Sequence, residues 1–328
     1  MKILIIVYHR FELWQAPTWI AEKLRAEFPG IEVVQRKEYE GIEQDLRDAE
    51  VAITWSLRPE QVRAAPKLRW IHSPAAAVHL LMIPEIVNRD ITVTNAGSVH
   101  GPVVAEHVIA QVLALARRLP SAVRYQQQRK WAQDELWREQ PRPREVAGAT
   151  LGLVGLGSIG REVAQRALAL GMRVIAIREH PEKPAGISAL EVSGPEQIDA
   201  LLAQSDYVVL AAPLTPRTRA LIDAGRLARM KPEACLINVS RGALVDEDAL
   251  AEALRRRQLG GAALDVFQKE PLPPGSPLWD VENVLITPHS AALTAKLWER
   301  HFALIAENLR RFLRGERLLN VVDKSKGY

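Results

Sequence analysis

Short apolar runs alternate with segments of helical period along nearly the whole chain. Residues 3–7, 31–34, 51–55, 68–72 and 91–94 are strand-length and mostly apolar. Residues 16–28 carry apolar positions at helical spacing and stop at Pro29-Gly30. Continuous apolar runs suit strands covered on both faces, so residues 2–98 predict a βα series around a parallel sheet. Residues 103–116 are apolar nearly all round, which predicts a buried helix between two domains. Six further strands are predicted at 150–154, 173–177, 207–210, 235–239, 261–266 and 284–287, with helices near 194–203, 219–227 and 246–257. A last helix, about 293–313, would rejoin the first sheet, giving one domain of 1–98 plus 293–328 and another of 99–292. One stretch, 119–147, breaks the pattern with three consecutive glutamines, Trp131, Trp137 and a Pro/Arg cluster. Trp and Arg are enriched where subunits meet, so this stretch reads as a dimer arm rather than a linker.

The run at 150–154 leads directly into Gly155-Leu156-Gly157-Ser158-Ile159-Gly160, and Val163, Ala164, Ala167, Leu168 and Leu170 follow at helical spacing. Strand, glycine turn and helix in that order make a G-x-G-x-x-G specific. Gly155 permits the tight turn, Gly157 admits a pyrophosphate to the backbone, and Gly160 lets helix and strand pack closely. The helix start at Ser158 and Ile159 offers N–H groups to phosphate. Parallel strands opening on this motif predict a doubly wound dinucleotide domain. The first sheet has no such turn and reads as the substrate domain. The expected fold is α/β: a flavodoxin-like substrate domain and a Rossmann cofactor domain, with a cleft between. The second strand of the cofactor domain should end in an Asp that bonds the ribose of NAD. Here Arg178 stands instead, followed by His180 and Lys183. A guanidinium attracts a 2′-phosphate, so NADP (NADPH) is the preferred cofactor, with NAD not excluded.

Composition narrows the classes. With 328 residues, nearly half apolar and a quarter charged, the chain reads as globular. Its +4 net charge is dispersed, and the densest basic run, Arg255-Arg256-Arg257, ends a predicted helix, so no nucleic-acid surface is expected. No apolar run has the length of a membrane span, and the first run is too short for a signal-peptide core, so a cytoplasmic protein is expected. The one cysteine, Cys235, lies in a strand-like run and reads as core filler, and no metal site is expected.

Candidate chemistry gathers in three loops that follow late strands: Ser240-Arg241-Gly242, Lys269-Glu270-Pro271 and Thr287-Pro288-His289-Ser290. Ligands of open α/β sheets bind beyond the carboxyl ends of the strands. Hydride transfer to a keto acid needs a guanidinium for the planar oxygens, a proton donor for the carbonyl oxygen, and a carboxylate to stabilise that donor's charged form. Arg241, His289 and Glu270 fit these roles in that order. His107 reads as a core or interdomain hydrogen-bonding group. His72, His79 and His100 could line the cleft. Trp55 and Ser56, after the third strand, could face substrate.

With these residues in view, the sequence resembles the D-isomer-specific 2-hydroxyacid dehydrogenases over nearly its whole length. The carrying stretches are VAEH (104–107), GLGSIG, PLTPRTRALI (213–222), NVSRGALVDEDAL (238–250), ALDVFQKEPLP (263–273) and ITPHSAA (286–292). The resemblance implies that Arg241 binds substrate, His289 is the acid/base and Glu270 its partner. It implies Asp265 near the nicotinamide carboxamide, and Val104, Pro213 and Val239 among the cofactor contacts. Family members usually hold the substrate carboxylate on a glycine-containing turn. Here the matching stretch is Ser73-Pro74-Ala75-Ala76-Ala77-Val78, whose N–H groups at Ala77 and Val78 are expected to serve. The run from Pro271 to Trp279 and the ending at 322–328 look like glyoxylate/hydroxypyruvate reductases, in which the counterpart of Trp131 reaches a neighbour's cleft in a homodimer. A formate dehydrogenase would pair its His with Gln, so Glu270 speaks against it. A nucleotide-sensing corepressor-like protein is the rival outside enzymes. A methyltransferase shares the glycine turn but leaves Arg241, Glu270 and His289 without a use.

Overall fold

The computed structural model describes residues 1–325 and Gly327, so Lys326 and Tyr328 of the C-terminal run lie outside the described residues. Two compact units divide the chain, Met1–His100 with Leu293–Tyr328 and Gly101–Ala292.

The first unit is built on β1 (Lys2–Ile6), β2 (Glu32–Arg36), β3 (Val51–Thr54), β4 (Trp70–Ser73) and β5 (Thr92–Asn95). They form one parallel sheet in the order β2-β1-β3-β4-β5, the flavodoxin-like order. Helices α1 (Thr18–Glu27), α2 (Glu43–Leu46), α3 (Pro59–Arg63) and α4 (Pro84–Val87) lie along the connections, and the C-terminal α12 (Leu297–Arg314) completes the unit. Strand side chains alternate between two cores, as the two-residue period requires. Ile3, Ile5, Ile53 and Trp70 pack with Ile20 and Leu24 of α1 and with Ile305 and Leu309 of α12. Leu4, Ile6, Ala52 and Ile71 pack on the other face with Leu46, Val62 and Ile86. Gly315, at φ +69°, ends α12 in the left-handed conformation that a glycine adopts without penalty.

The second unit holds β6 (Thr150–Val154), β7 (Arg173–Ile177), β8 (Glu191–Ser193), β9 (Tyr207–Leu210), β10 (Cys235–Asn238), β11 (Gly261–Leu264) and β12 (Val284–Ile286). All seven are parallel, in the order β12-β11-β10-β9-β6-β7-β8. Its helices are α5 (Gly101–Ala116), α6 (Leu119–Gln127), α7 (Gln133–Arg138), α8 (Ser158–Ala169), α9 (Ile198–Gln204), α10 (Ala224–Leu227) and α11 (Glu247–Arg255). The sheet runs in both directions from β6, so β6 borders the point where the winding reverses.

Three readings of the sequence need correction. Six strands were expected in this unit, and the seventh, β8, is a three-residue edge strand with two exposed polar residues, so no apolar run marks it. The helix expected over 219–227 is only the single turn α10, because Ile222 bridges to Val245 beside the sheet and Ala220 takes φ +48°. Helix α5 is not buried all round: Val104, Ala105, Val108, Val112 and Leu115 are buried, whereas Val103, Ile109 and Leu113 are partly open. The stretch at 119–147 contains two helices, α6 and α7, with Trp131 91% and Trp137 55% exposed. Cys235 is buried in the sheet, and burial pushes its thiol pKa up. Among the described residues, no helix is long and apolar enough to cross a membrane and no residue group could hold a metal ion.

Candidate active site

The glycine turn joins β6 to α8. Gly155 sits at φ +103°, and a Cβ there would lie 2.7 Å from the carbonyl carbon of Ala211 and from the amide nitrogen of Ala212. A Cβ on Gly160 would collide with the Gly155 carbonyl oxygen, so both outer glycines are fixed by packing. Gly157 differs: a Cβ there would meet nothing within 4 Å. It is the N-cap of α8, and no side chain caps that helix start. Open space at the N-terminus of a helix fits a dinucleotide pyrophosphate. Ser158 and Ile159 form the first turn of α8.

The next strand, β7, ends at Ile177, and Arg178 follows it. Its backbone N–H donates to the Ser193 carbonyl at 3.0 Å, which fixes the residue against β8. Among the described residues its buried Nε has no hydrogen-bond partner, and its guanidinium makes one long bond of 3.5 Å, to the Pro181 carbonyl. A guanidinium held this loosely next to a phosphate cradle can take a second phosphate. His180 Nδ1 lies 3.4 Å from Glu182 Oε1. Pro213 is exposed beyond β9, and its carbonyl accepts from Thr218 Oγ1 at 2.7 Å. Val104 and Val239 are both buried in the core behind the turn, with 4% and 8% exposure.

The other arm of the sheet carries Arg241, Glu270 and His289, the residues that the sequence singles out for chemistry. Arg241 follows β10, Glu270 follows β11 and His289 follows β12, so three neighbouring strands deliver them at one edge of the carboxyl end. His289 Nδ1 lies 2.7 Å from Glu270 Oε2, and the imidazole and carboxylate are 49% and 35% exposed. Half-exposed ion pairs contribute at most about 1 kcal/mol to stability. The use of this pair is orientation: with Nδ1 engaged by the carboxylate, Nε2 is the ring nitrogen left for a ligand. Glu270 is itself held, since its Oε1 accepts from Phe267 N at 2.9 Å. Arg241 is exposed and its guanidinium donates to the Ser240 carbonyl at 2.6 Å, so it joins neither His289 nor Glu270.

His289 adopts φ +51°, a left-handed conformation that costs a non-glycine residue about 1–2 kcal/mol. Asp265 holds it there. The Asp265 carbonyl accepts from His289 N at 2.8 Å. Its carboxylate accepts from Thr287 Oγ1 at 2.6 Å, Ser290 N at 2.8 Å and Ala291 N at 3.0 Å. Asp265 is 1% exposed, so its carboxylate anchors the His289 loop from inside. Behind it, on α5, His107 Nε2 lies 3.2 Å from Thr287 Oγ1 and 3.7 Å from Asp265 Oδ1, and Gln111 Nε2 is 3.0 Å from the same imidazole nitrogen. Thr287 donates its one hydroxyl hydrogen to the carboxylate, so His107 or Gln111 supplies the bond that Thr287 accepts. Burial lowers the His107 pKa and Asp265 partly offsets it. His107 was expected as a core or interdomain group, and its link to the His289 loop was not visible. Thr287 and His107 are far apart in the chain, and only the VAEH and ITPH stretches hinted at either.

In the first unit, Val78 is buried and Ala77 half-buried in the loop after β4. No hydrogen bond among the described residues takes up the N–H of either one. Trp55 is half-buried with its indole N–H unpartnered. His72 and His100 are buried rather than open to a ligand, and His301 on α12 stacks edge-on to His100 with ring centroids 5.7 Å apart.

A dinucleotide cradle and an imidazole–carboxylate pair on one row of strand ends define the class: a nicotinamide-dependent oxidoreductase. Comparison with known proteins gives the particular family. The family model for the D-isomer specific 2-hydroxyacid dehydrogenase, NAD binding domain, matches residues 109–291. A glyoxylate reductase of Korarchaeum cryptofilum is 38% identical over 277 residues, 83% of this chain and 81% of that protein. A D-3-phosphoglycerate dehydrogenase of Methanocaldococcus jannaschii is 34% identical over 92% of this chain, which spans only 57% of that longer protein. The crystal structure of an NADPH-dependent glyoxylate/hydroxypyruvate reductase from Sinorhizobium meliloti, in complex with NADP and sulfate, superposes with a TM-score of 0.81 at 30% identity and covers 100% of each chain. The chain belongs to the D-isomer specific 2-hydroxyacid dehydrogenase family, whose members are NAD(P)-dependent oxidoreductases.

Proposed function

We propose that this enzyme is an NADPH-preferring reductase that converts small 2-keto acids of the glyoxylate and hydroxypyruvate kind to D-2-hydroxy acids. The observation that carries the proposal is the His289–Glu270 pair at 2.7 Å, beside the Arg241 loop on a dinucleotide-binding sheet. A nicotinamide cofactor held at the glycine turn would supply the hydride that the keto carbon needs. His289 Nε2 donates the proton that the carbonyl oxygen needs as it becomes a hydroxyl. Glu270 holds Nδ1–H, fixes the ring and stabilises its charged form. Arg241 exchanges the Ser240 carbonyl for the substrate's oxygens, which its planar fork matches. Within the first unit, the N–H groups of Ala77 and Val78, which no described residue takes up, suit a carboxylate, and the Trp55 indole N–H has no partner among the described residues. Arg178 supports the cofactor preference. A charge pair about 4 Å apart is worth up to ~4 kcal/mol at an effective dielectric near 20, and exposure and salt reduce it to ~1–2 kcal/mol, about ten- to thirtyfold in affinity. The exposed Trp131 and Trp137 of the 119–147 arm support a homodimer.

The test is His289→Ala, assayed with glyoxylate and NADPH. Turnover should fall by about 10²–10⁴ while cofactor binding persists. Near-normal turnover removes His289 from the chemistry. A corepressor-like protein would show no turnover in either form.

A further inference from the structure

Arg241 and Glu270 come from different strands, yet the reading above needs them in fixed register. The backbone after Arg241 passes directly under the Glu270 loop. A Cβ on Gly242 would overlap the backbone of Phe267 and Gln268, so the two loops touch main chain to main chain. Two bonds then tie them. Gln268 N donates to Glu247 Oε1, and Gln268 Nε2 donates to the Val245 carbonyl at 2.9 Å. Glu247 is the first residue of α11, directly after its N-cap Asp246, and is half-buried. On the far side of the same loop, Phe267 N donates to Glu270, which meets His289.

We propose that Glu247 is a positioning residue for the reduction: its carboxylate fastens the Arg241 loop to the Glu270 loop and so sets guanidinium and acid–base pair in register. The inference rests on the function proposed above and extends it to a side chain that touches neither substrate nor cofactor. Burial pushes the Glu247 carboxyl pKa up, and Asp248 and Glu270 add to it, while the Gln268 N–H pulls it down. Retaining a carboxyl in that setting is unfavourable unless its acceptor oxygen is needed. The needed feature is therefore the acceptor, which an amide can replace.

Two variants separate positioning from plain stability. Glu247→Gln keeps an acceptor oxygen for Gln268 N, and Glu247→Ala removes it. Glu247→Ala should lower kcat ten- to hundredfold with KM for NADPH within twofold of wild type. Glu247→Gln should restore kcat to within threefold. Hydrogen exchange of the 266–270 segment, followed by mass spectrometry on the unliganded protein, should speed up at least tenfold in Glu247→Ala and stay unchanged in Glu247→Gln. An Ala variant within twofold of wild type in kcat, an unchanged exchange rate, or a Gln variant as impaired as Ala would overturn the proposal. Absence of wild-type turnover on any 2-keto acid would instead sink the proposed function, while the exchange measurement would still decide whether Glu247 fastens the loops.

Discussion

His289 is held by its backbone as firmly as by its side chain. Its left-handed φ is maintained by the Asp265 carbonyl, and the Asp265 carboxylate collects three further donors from the same loop. Each such bond to a charged acceptor is worth about 1.5–3 kcal/mol, more than the conformational penalty, so the anchor wins and the ring is fixed before any ligand arrives. Arg178 is the opposite kind of residue, tied by backbone and loose at its guanidinium. The NADPH preference proposed above rests on that loose end. Arg178→Asp should reverse the ratio of kcat/KM for NADPH over NADH, from at least about tenfold in favour of NADPH to a preference for NADH. An unchanged ratio would show that no phosphate meets this side chain.

At the scale of the element, the β6–α8 turn separates packing from ligand binding within six residues. Gly160 has the Gly155 carbonyl where a Cβ would go, whereas Gly157 has open space. Gly160→Ala should therefore destabilise the protein by about 1–3 kcal/mol through overpacking. Gly157→Val should leave the Tm nearly unchanged and weaken NADPH binding about tenfold or more, because its side chain fills the pyrophosphate cradle. Thermal melts with a cofactor titration check both, and equal stability losses in the two variants would contradict the assignment. This turn was legible in the sequence because strand, glycines and helix are contiguous. The pairing of Glu270 with His289 was legible because both follow predicted strands and match family stretches. Strand β8 was not, since an exposed three-residue edge needs no apolar run. The anchor formed by Asp265, Thr287 and His107 was not legible either. Its bonds join β11, the β12 loop and α5, and no local period records contacts between side chains so far apart in the chain.

For the whole molecule, the first unit carries a sensitivity to acid that the chemistry does not use. His72 is fully buried with Nε2 unpartnered, and burial pulls its pKa from 6.5 down to about 3. Burial also lowers the pKa of His100, where Arg300 adds to the effect, and that of His301, where His100 and His72 add to it. Between pH 6.5 and about 3 the unfolded chain takes up protons that folded His72 refuses. Stability from this residue is intact above 6.5 and is lost as pH falls through that window, at up to about 1.4 kcal/mol per pH unit. His100 and His301 act with the same sign. The urea midpoint should therefore drop between pH 7 and pH 5, and His72→Leu should flatten the drop. A wild-type midpoint that is level over this range would mean that these imidazoles charge freely in the folded state.

The most direct measurement is steady-state reduction of a panel of 2-keto acids by the purified wild-type enzyme with NADPH and with NADH. The panel should hold glyoxylate, hydroxypyruvate, larger 2-keto acids and the 2-keto form of 3-phosphoglycerate. The account predicts turnover of glyoxylate and hydroxypyruvate, with kcat/KM at least about tenfold higher for NADPH than for NADH. No oxidation of either nicotinamide with any acid on the panel would contradict it.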